Sequence, residues 1–402
     1  MDITKEAYGE AIKVLKKCAT PNGFFAAFPG YDMVWSRDSM ITSLGASLLE
    51  KNINFGAQKI ASQFSTDSEL SRQFAPKTSI PKFKKTFKAS IKTLAKNQSE
   101  KGQIPNAVDK FAKRKHHVDF TSIDSTLWFI IGHYIYKQRY HDSSLFKSQK
   151  KNIEKAFIWL SYQDTTEDNM LEQLPTSDWQ DAFPHRYGHT INTQALYYKA
   201  LKLAGKNNLA EKIKKMVNEI SDHSLWAENF YLPWRWKNHN ADQERGEWFD
   251  SLGNLLAVIF DLASKEQADR ILQHILNEKI AEPFPIKTIY PPIKKGSKDW
   301  QNYFNDCAAR TPYHYSNGGI WTYIGGFYVL ALIKQKRFDD AKYQLEKIAK
   351  ANLQKPLFSE WLDGKTGKPK RSQSGSKEGN QAWNAGMYIL AYESLKAKKV
   401  LI

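Results

Sequence analysis

A chain of 402 residues, 41% hydrophobic and 25% charged, is long enough to bury a large core and has an ordinary globular balance, which excludes a disordered or fibrous protein. The net charge of +17 permits an anionic partner, but the lysines are spread along the chain rather than gathered in one tail. Two cysteines, Cys18 and Cys307, exclude a disulfide framework and a cysteine-built metal site, and fit a reducing compartment.

Residues 2–17 place Ile3, Ala7, Ala11, Val14 and Leu15 at helical spacing; the stretch is charged and amphipathic, unlike a signal peptide. Pro21-Asn22-Gly23 marks a turn. The run GYDMVWSRDS, 30–39, leads into a helix predicted over about residues 40–50. Arg37 and Asp38 stand at its entrance beside Trp35. An acid is favoured at a helix start, and a neighbouring guanidinium would hold it ionised. The pair suits a grip on two adjacent sugar hydroxyls, and equally a plain cap and salt bridge.

Helices are predicted near 55–64 and 83–97, followed by the loop GQIPN at 102–106. The basic runs 82–88 and 110–117 read as solvated faces or loops; neither carries an RNA-binding signature or zinc spacing. His116 and His117 are adjacent and do not face one site, so no metal is expected. Next comes SIDSTLWFII, 122–131. Ser122 and Asp124 suit a helix start, and the apolar run behind them suits a buried helix reaching about residue 140. An acid at the mouth of an apolar barrel, beside Trp128 and without a cationic partner, would keep its proton, as a general acid must. An ordinary capping role fits the same stretch.

A further helix is predicted over 150–163. The loop PTSDWQDAFPHRYG, 175–188, is rich in carboxylates, Trp and Arg. Helices follow at 190–203, 209–220, 248–262 and 265–277, and a long Pro-rich loop at 281–312 that is too long for a simple linker. YHYSNGG, 313–319, opens an almost wholly apolar helix at 320–334, with a polar partner at 338–351. LFSEWLDGKTG, 357–367, and a helix at 381–396 close the chain. No apolar run approaches a membrane span, so a soluble cytoplasmic protein is expected. The 12 tryptophans offer flat faces with a polar tip; most are expected to fill the core, and a few to line a pocket for sugar rings or bases.

About a dozen helices thus alternate between apolar and amphipathic, with almost no β alternation. Helical hairpins that cannot bury their own faces must stack on neighbours, and a closed ring of them completes the core. The expected fold is all-α: one α/α toroid spanning 1–402, with apolar helices inside, amphipathic helices outside, and carboxylates and indoles gathered at the end where the loops meet.

Several motifs together resemble glycoside hydrolases built on an (α/α)6 toroid. FDSLGN (249–254), PIKTIYP (285–291), YHYSNGGIW (313–321), SEWLDGKTGK (359–368) and QAWNAGMYILA (381–391) are similar to neutral/alkaline invertases. VWSRDS, GQIPN and DSTLWF resemble the glucosidase domain of glycogen debranching enzymes, and QALYYKAL (194–201) has a counterpart in both. The resemblance implies inversion by two carboxyls standing about 6.5–9.5 Å apart. It makes Asp124 the acid and Glu360 the base, with Arg37 and Asp38 holding the terminal glucose. It also puts Trp35, Trp128, Asp178, Trp179, Asp181, Arg186, His314, Asn317, Trp321, Gln381 and Trp383 at the substrate, with no cofactor, metal, nucleic acid or membrane partner. Asp124 sits in the debranching form of its motif, and the invertase match fades past Gly367. The leading expectation is therefore an exo-acting glucosidase of the α-1,6-debranching type, with sucrose hydrolysis as the alternative. A toroid that only binds carbohydrate or nucleic acid is the reading from another class, supported by the positive charge.

Overall fold

The computed structural model describes residues 2–49, 82–109, 118–219, 224–236, 244–370 and 379–402. The helix predicted at 55–64, the basic run 110–117 with its two histidines, and most of the segment 369–380 beyond the invertase-like stretch lie outside the described residues. Among those described, six helices form an inner ring: α2 (Ser36–Ala46), α4 (Asp124–Tyr140), α7 (Ile191–Leu203), α9 (Ser251–Ile259), α11 (Thr322–Lys334) and α13 (Ala382–Lys396). Each packs on the next, and α13 returns to α2, so the ring closes. Around it lie α1 (Ile3–Cys18), α3 (Lys84–Lys96), α6 (Lys150–Ser161), α8 (Asn207–Asn218), α10 (Lys265–Asn277) and α12 (Phe338–Asn352). The short α5 (Ser144–Ser148) bridges α4 and α6. This is an (α/α)6 toroid, as the order of apolar and amphipathic segments predicts.

Side-chain pattern separates the two rings. Every residue of α2 and α9 is buried, and α11 is buried from Thr322 to Ile333; α9 and α11 are mostly apolar and must be enclosed, whereas α2 is enclosed with its polar residues, Arg37 and Asp38 among them. The outer helices bury one stripe. In α10 it is Ala268, Ile271, Leu272 and Ile275, and a capping box between Ser264 and Gln267 fixes the first turn. The inner ring closes tightly where α2 crosses α13. A Cβ added at Gly45 would lie 1.8 Å from the Gly386 carbonyl oxygen, and one at Gly386 would lie 2.6 Å from that of Thr42. Only two glycines allow this approach.

The structure adds short β ladders that two- and three-residue strands leave invisible to periodicity. Glu172–Gln173, Gly188–Thr190, Trp234–Trp236 and Glu244–Arg245 form one four-stranded antiparallel patch. Val34–Trp35, Ala107–Val108 and Val118–Asp119 form another of three strands. These ladders pin the loops that enter the inner helices. No helix among the described residues is long and apolar enough to cross a membrane.

Candidate active site

The helix α2 begins at Ser36, four residues earlier than its apolar pattern suggests, because the strand Val34–Trp35 hands the chain straight into the first turn. Arg37 and Asp38 therefore sit inside that turn, 4% and 5% exposed, and face an open hollow. Its walls are Ala26, Tyr31, Trp35, Arg37, Asp38, Trp179, Asp181, Tyr315, Trp321, Glu360, Gln381 and Trp383. Nine of the expected site residues meet there; Ala26, Tyr31 and Tyr315 were not anticipated. Tyr31 and Tyr315 lie inside motifs already singled out, GYDMVW and YHYSNGG, but a tyrosine in a loop carries no signal of which way it points.

Indoles make the walls. Tyr323 stacks on Trp383 at 4.1 Å and 14°, and Trp321 meets Trp383 and Trp179 edge-on, each at 5.7 Å. Trp321 is held by a hydrogen bond from its Nε1 to the Tyr315 carbonyl at 3.2 Å. The indole N–H groups of Trp35, Trp179 and Trp383 are buried without a hydrogen-bond partner, as is Asp38 Oδ2. Buried polar atoms are normally satisfied, so these are the groups a polyhydroxylated ligand would satisfy.

Three carboxyls and one guanidinium face the hollow. Glu360 is 7% exposed and accepts a hydrogen bond from the Tyr31 hydroxyl at 3.3 Å. Its place is set from both sides: Ile320 and Leu362 pair backbone to backbone, and the Asn384 amide on α13 donates to the Ser359 carbonyl at 2.7 Å. Asp181 also lines the hollow, on the loop between α6 and α7. Its side chain is solvent-exposed, although many protein atoms crowd around it. That desolvation pushes its carboxyl up to about 6; Arg37 opposes the rise, and Asp178 and Asp124 add to it. Burial likewise lifts Asp38 to about 6 against the neighbouring Arg37, so the guanidinium does not hold it in the usual carboxylate range as expected. Arg37 divides its charge, with Nε 3.5 Å from Asp38 and Nη1 3.6 Å from Asp124.

Asp124 itself is not on the wall. It is 1% exposed and forms the first residue of α4 without capping it. One carboxylate oxygen accepts from the Ser122 hydroxyl, and the other from the Trp179 backbone N–H at 3.0 Å. Burial raises its pKa, as the sequence suggested, but Arg37 is the cationic partner the sequence reading left out. The expected acid stands one layer behind the hollow because a second loop, 178–181, folds over it.

Five other expected contacts are also drawn away from the hollow. Asp178 and Asp250 clamp Arg186 between them at 2.6 Å each, all fully buried, which ties the loop of Asp181 to the entrance of α9. Trp128 is 1% exposed and packs 6.4 Å from Phe327 between inner helices. Asn317 is wholly buried; its amide serves the backbone of Ile293 and Ala309. His314 bonds Asp363 at 3.1 Å and lies beside Trp361, outside the lining. Asn317 thus holds loop backbone that no helix satisfies, whereas Asp178, Arg186 and His314 are spent on side-chain pairs. Among the described residues no cluster of His, Cys, Asp and Glu could hold a metal ion.

A family profile described as alkaline and neutral invertase matches residues 237–398. Neutral/alkaline invertase 1, mitochondrial, of Oryza sativa subsp. japonica is 27% identical over 232 residues, 45% of this chain and 36% of that protein. Alkaline/neutral invertase C, mitochondrial, of Arabidopsis thaliana is 24% identical over 303 residues, 61% and 44% respectively. The matched stretches thus span well under two thirds of those relatives. Among solved structures, a mannosylglycerate hydrolase from Thermus thermophilus superposes with a TM-score of 0.65 at 11% identity, covering 95% of this chain and 99% of that one. A bacterial glucoamylase complexed with acarbose superposes at 0.59 and 16% identity, covering 100% and 57%. The chain has the (α/α)6 toroid of glycoside hydrolases.

Proposed function

We propose that this protein is an exo-acting, inverting glycoside hydrolase in which Asp181 is the general acid and Glu360 the general base. One observation carries the reading: two carboxyls in unlike surroundings line the same indole-walled hollow, and Asp181 is lifted to about 6, where it can hold a proton near neutrality. Asp181 would protonate the departing glycosidic oxygen. Glu360 would take a proton from a water that attacks the anomeric carbon from the opposite face. Arg37 donates to, and Asp38 accepts from, neighbouring hydroxyls of the terminal ring, while Trp179, Trp321 and Trp383 cover its apolar faces. In this reading Asp124, the acid expected from the motif, is not given that role, since it is not among the residues lining the hollow.

Among the described residues the lining sets a single cation, Arg37, against Asp38, Asp181 and Glu360, which suits a neutral sugar rather than an anionic one. We place sucrose first among substrates, since the sequence relatives are invertases and the match spans Glu360. The α-1,6-debranching reading rests on the first-half motifs alone. Both cysteines are free thiols, and a reducing, cytosol-like compartment suits them. The test is to offer sucrose, isomaltose and a branched dextrin, and to follow the freshly released glucose by proton NMR. Inversion of an α-glucoside yields the β-anomer first. Release of the α-anomer, or no release from any of the three, would overturn the proposal.

A further inference from the structure

The buried carboxyl behind the wall has no part in the reaction as drawn, yet it touches two of the groups that shape the hollow. Asp124 takes the backbone N–H of Trp179 on Oδ2 and lies 3.6 Å from Arg37 Nη1 through Oδ1. Trp179 and Arg37 are both in the lining, on different elements, and Trp179 stands two residues before Asp181. Among the described residues Arg37 is the cation facing Asp181. The other charged or titratable groups around that carboxyl are Asp38 on α2, Asp124 on α4, Asp178 on its own loop, Tyr31, Tyr315 and Glu360.

We propose, on the reading that Asp181 is the acid, that Asp124 is a positioning residue: a buried strut that holds Arg37 and the Trp179 backbone in place and keeps the guanidinium engaged away from Asp181. The consequence is electrostatic as well as geometric. With Asp124 charged, Arg37 shares its charge between Asp38 and Asp124, and Asp124 adds like-charge repulsion at Asp181. Both effects favour the protonated acid. Neutralising Asp124 frees the guanidinium for Asp181 and removes the repulsion, so the acid loses its proton at lower pH. Ser122 belongs to the same device, since its hydroxyl favours the charged form of Asp124.

The test is the variant Asp124→Asn, with Ser122→Ala as a gentler cut in case the first folds poorly. With sucrose, the expected result is an alkaline limb of kcat/KM moved down by about one pH unit, which costs about tenfold above neutrality and little at pH 5. Ser122→Ala shifts the limb the same way by less. An even loss at all pH values would mean a merely structural role and overturn the proposal. Loss on sucrose at every pH with glucosyl fluoride turnover intact would make Asp124 the acid and overturn it too. A readout without turnover separates this inference from the reading beneath it. Tryptophan fluorescence of free protein carrying Asp38→Asn, which removes the other lining carboxyl lifted to about 6, should show a transition near pH 6 that Asp181→Asn abolishes and Asp124→Asn moves lower. A transition that Asp181→Asn leaves in place sinks the acid assignment and this inference with it. One that depends on Asp181 but ignores Asp124→Asn sinks this inference alone.

Discussion

Asp181 and Glu360 differ in what surrounds them, and their variants should differ accordingly. Asp181 is a carboxyl whose proton is retained by a desolvating hollow; Glu360 is oriented by the Tyr31 hydroxyl and by a loop tied to α13. Asp181→Asn should lower kcat/KM for sucrose roughly 10³-fold, within the usual range for losing a general acid. Glucosyl fluoride, whose leaving group needs no proton, should be turned over almost normally by that variant. Glu360→Gln should lose both substrates, because the attacking water has no other base. The sign of the pH dependence follows from the raised acid. Below about 6 Asp181 carries its proton and can donate; above, it is ionised, so kcat/KM falls as pH rises through that value. A bound sugar desolvates the acid further, so the limb of kcat should lie higher than that of kcat/KM.

At the scale of elements, the crossing of α2 and α13 sets the position of five of the twelve lining residues. Trp35, Arg37 and Asp38 come from the entrance of α2, and Gln381 and Trp383 from that of α13. The backbones touch through Gly45 and Gly386, and an added methyl at Gly45 would meet a carbonyl oxygen, which cannot swing aside as a flexible side chain could. Gly45→Ala should therefore cost about 3 kcal/mol in chemical denaturation, toward the upper end for overpacking. It should also raise KM, since parting of the helices would shift Arg37 and Asp38 relative to Gln381 and Trp383, the groups placed around the terminal sugar in the proposed function. Normal stability with normal KM in that variant would show the crossing to be more pliant than described.

For the molecule as a whole, closure of the ring gathers the functional loops at the entrances of the inner helices and leaves the lysine-rich outer helices in solvent. Among the described residues Arg37 is the single cation in the lining, so the large positive charge is not concentrated at the hollow. Turnover of a neutral sugar should change less than about threefold between about 0.05 and 0.5 M salt, because buried pairs are screened far less than surface ones. Binding of nucleic acid through phosphate contacts would instead weaken steeply over the same range. Measuring both on one preparation separates the hydrolase from the binding toroid.

The alternation of apolar and amphipathic segments was enough to imply a helical toroid, because burial on all sides or on one stripe is written into helical periodicity. The candidates themselves came from the motifs that resemble toroid glycosidases, and nine of the twelve lining residues lie among them. Which of the acids in those loops faces the hollow was decided by folding. Asp124 and Asp181 are both acids beside tryptophans, and local pattern favoured Asp124 because an apolar helix follows it. Only when the loop 178–181 lies across the start of α4 does one carboxyl reach the hollow while the other is sealed behind it. Desolvation and charge pairing depend on neighbours distant in sequence, so proton affinity and role are properties of the closed ring rather than of any motif.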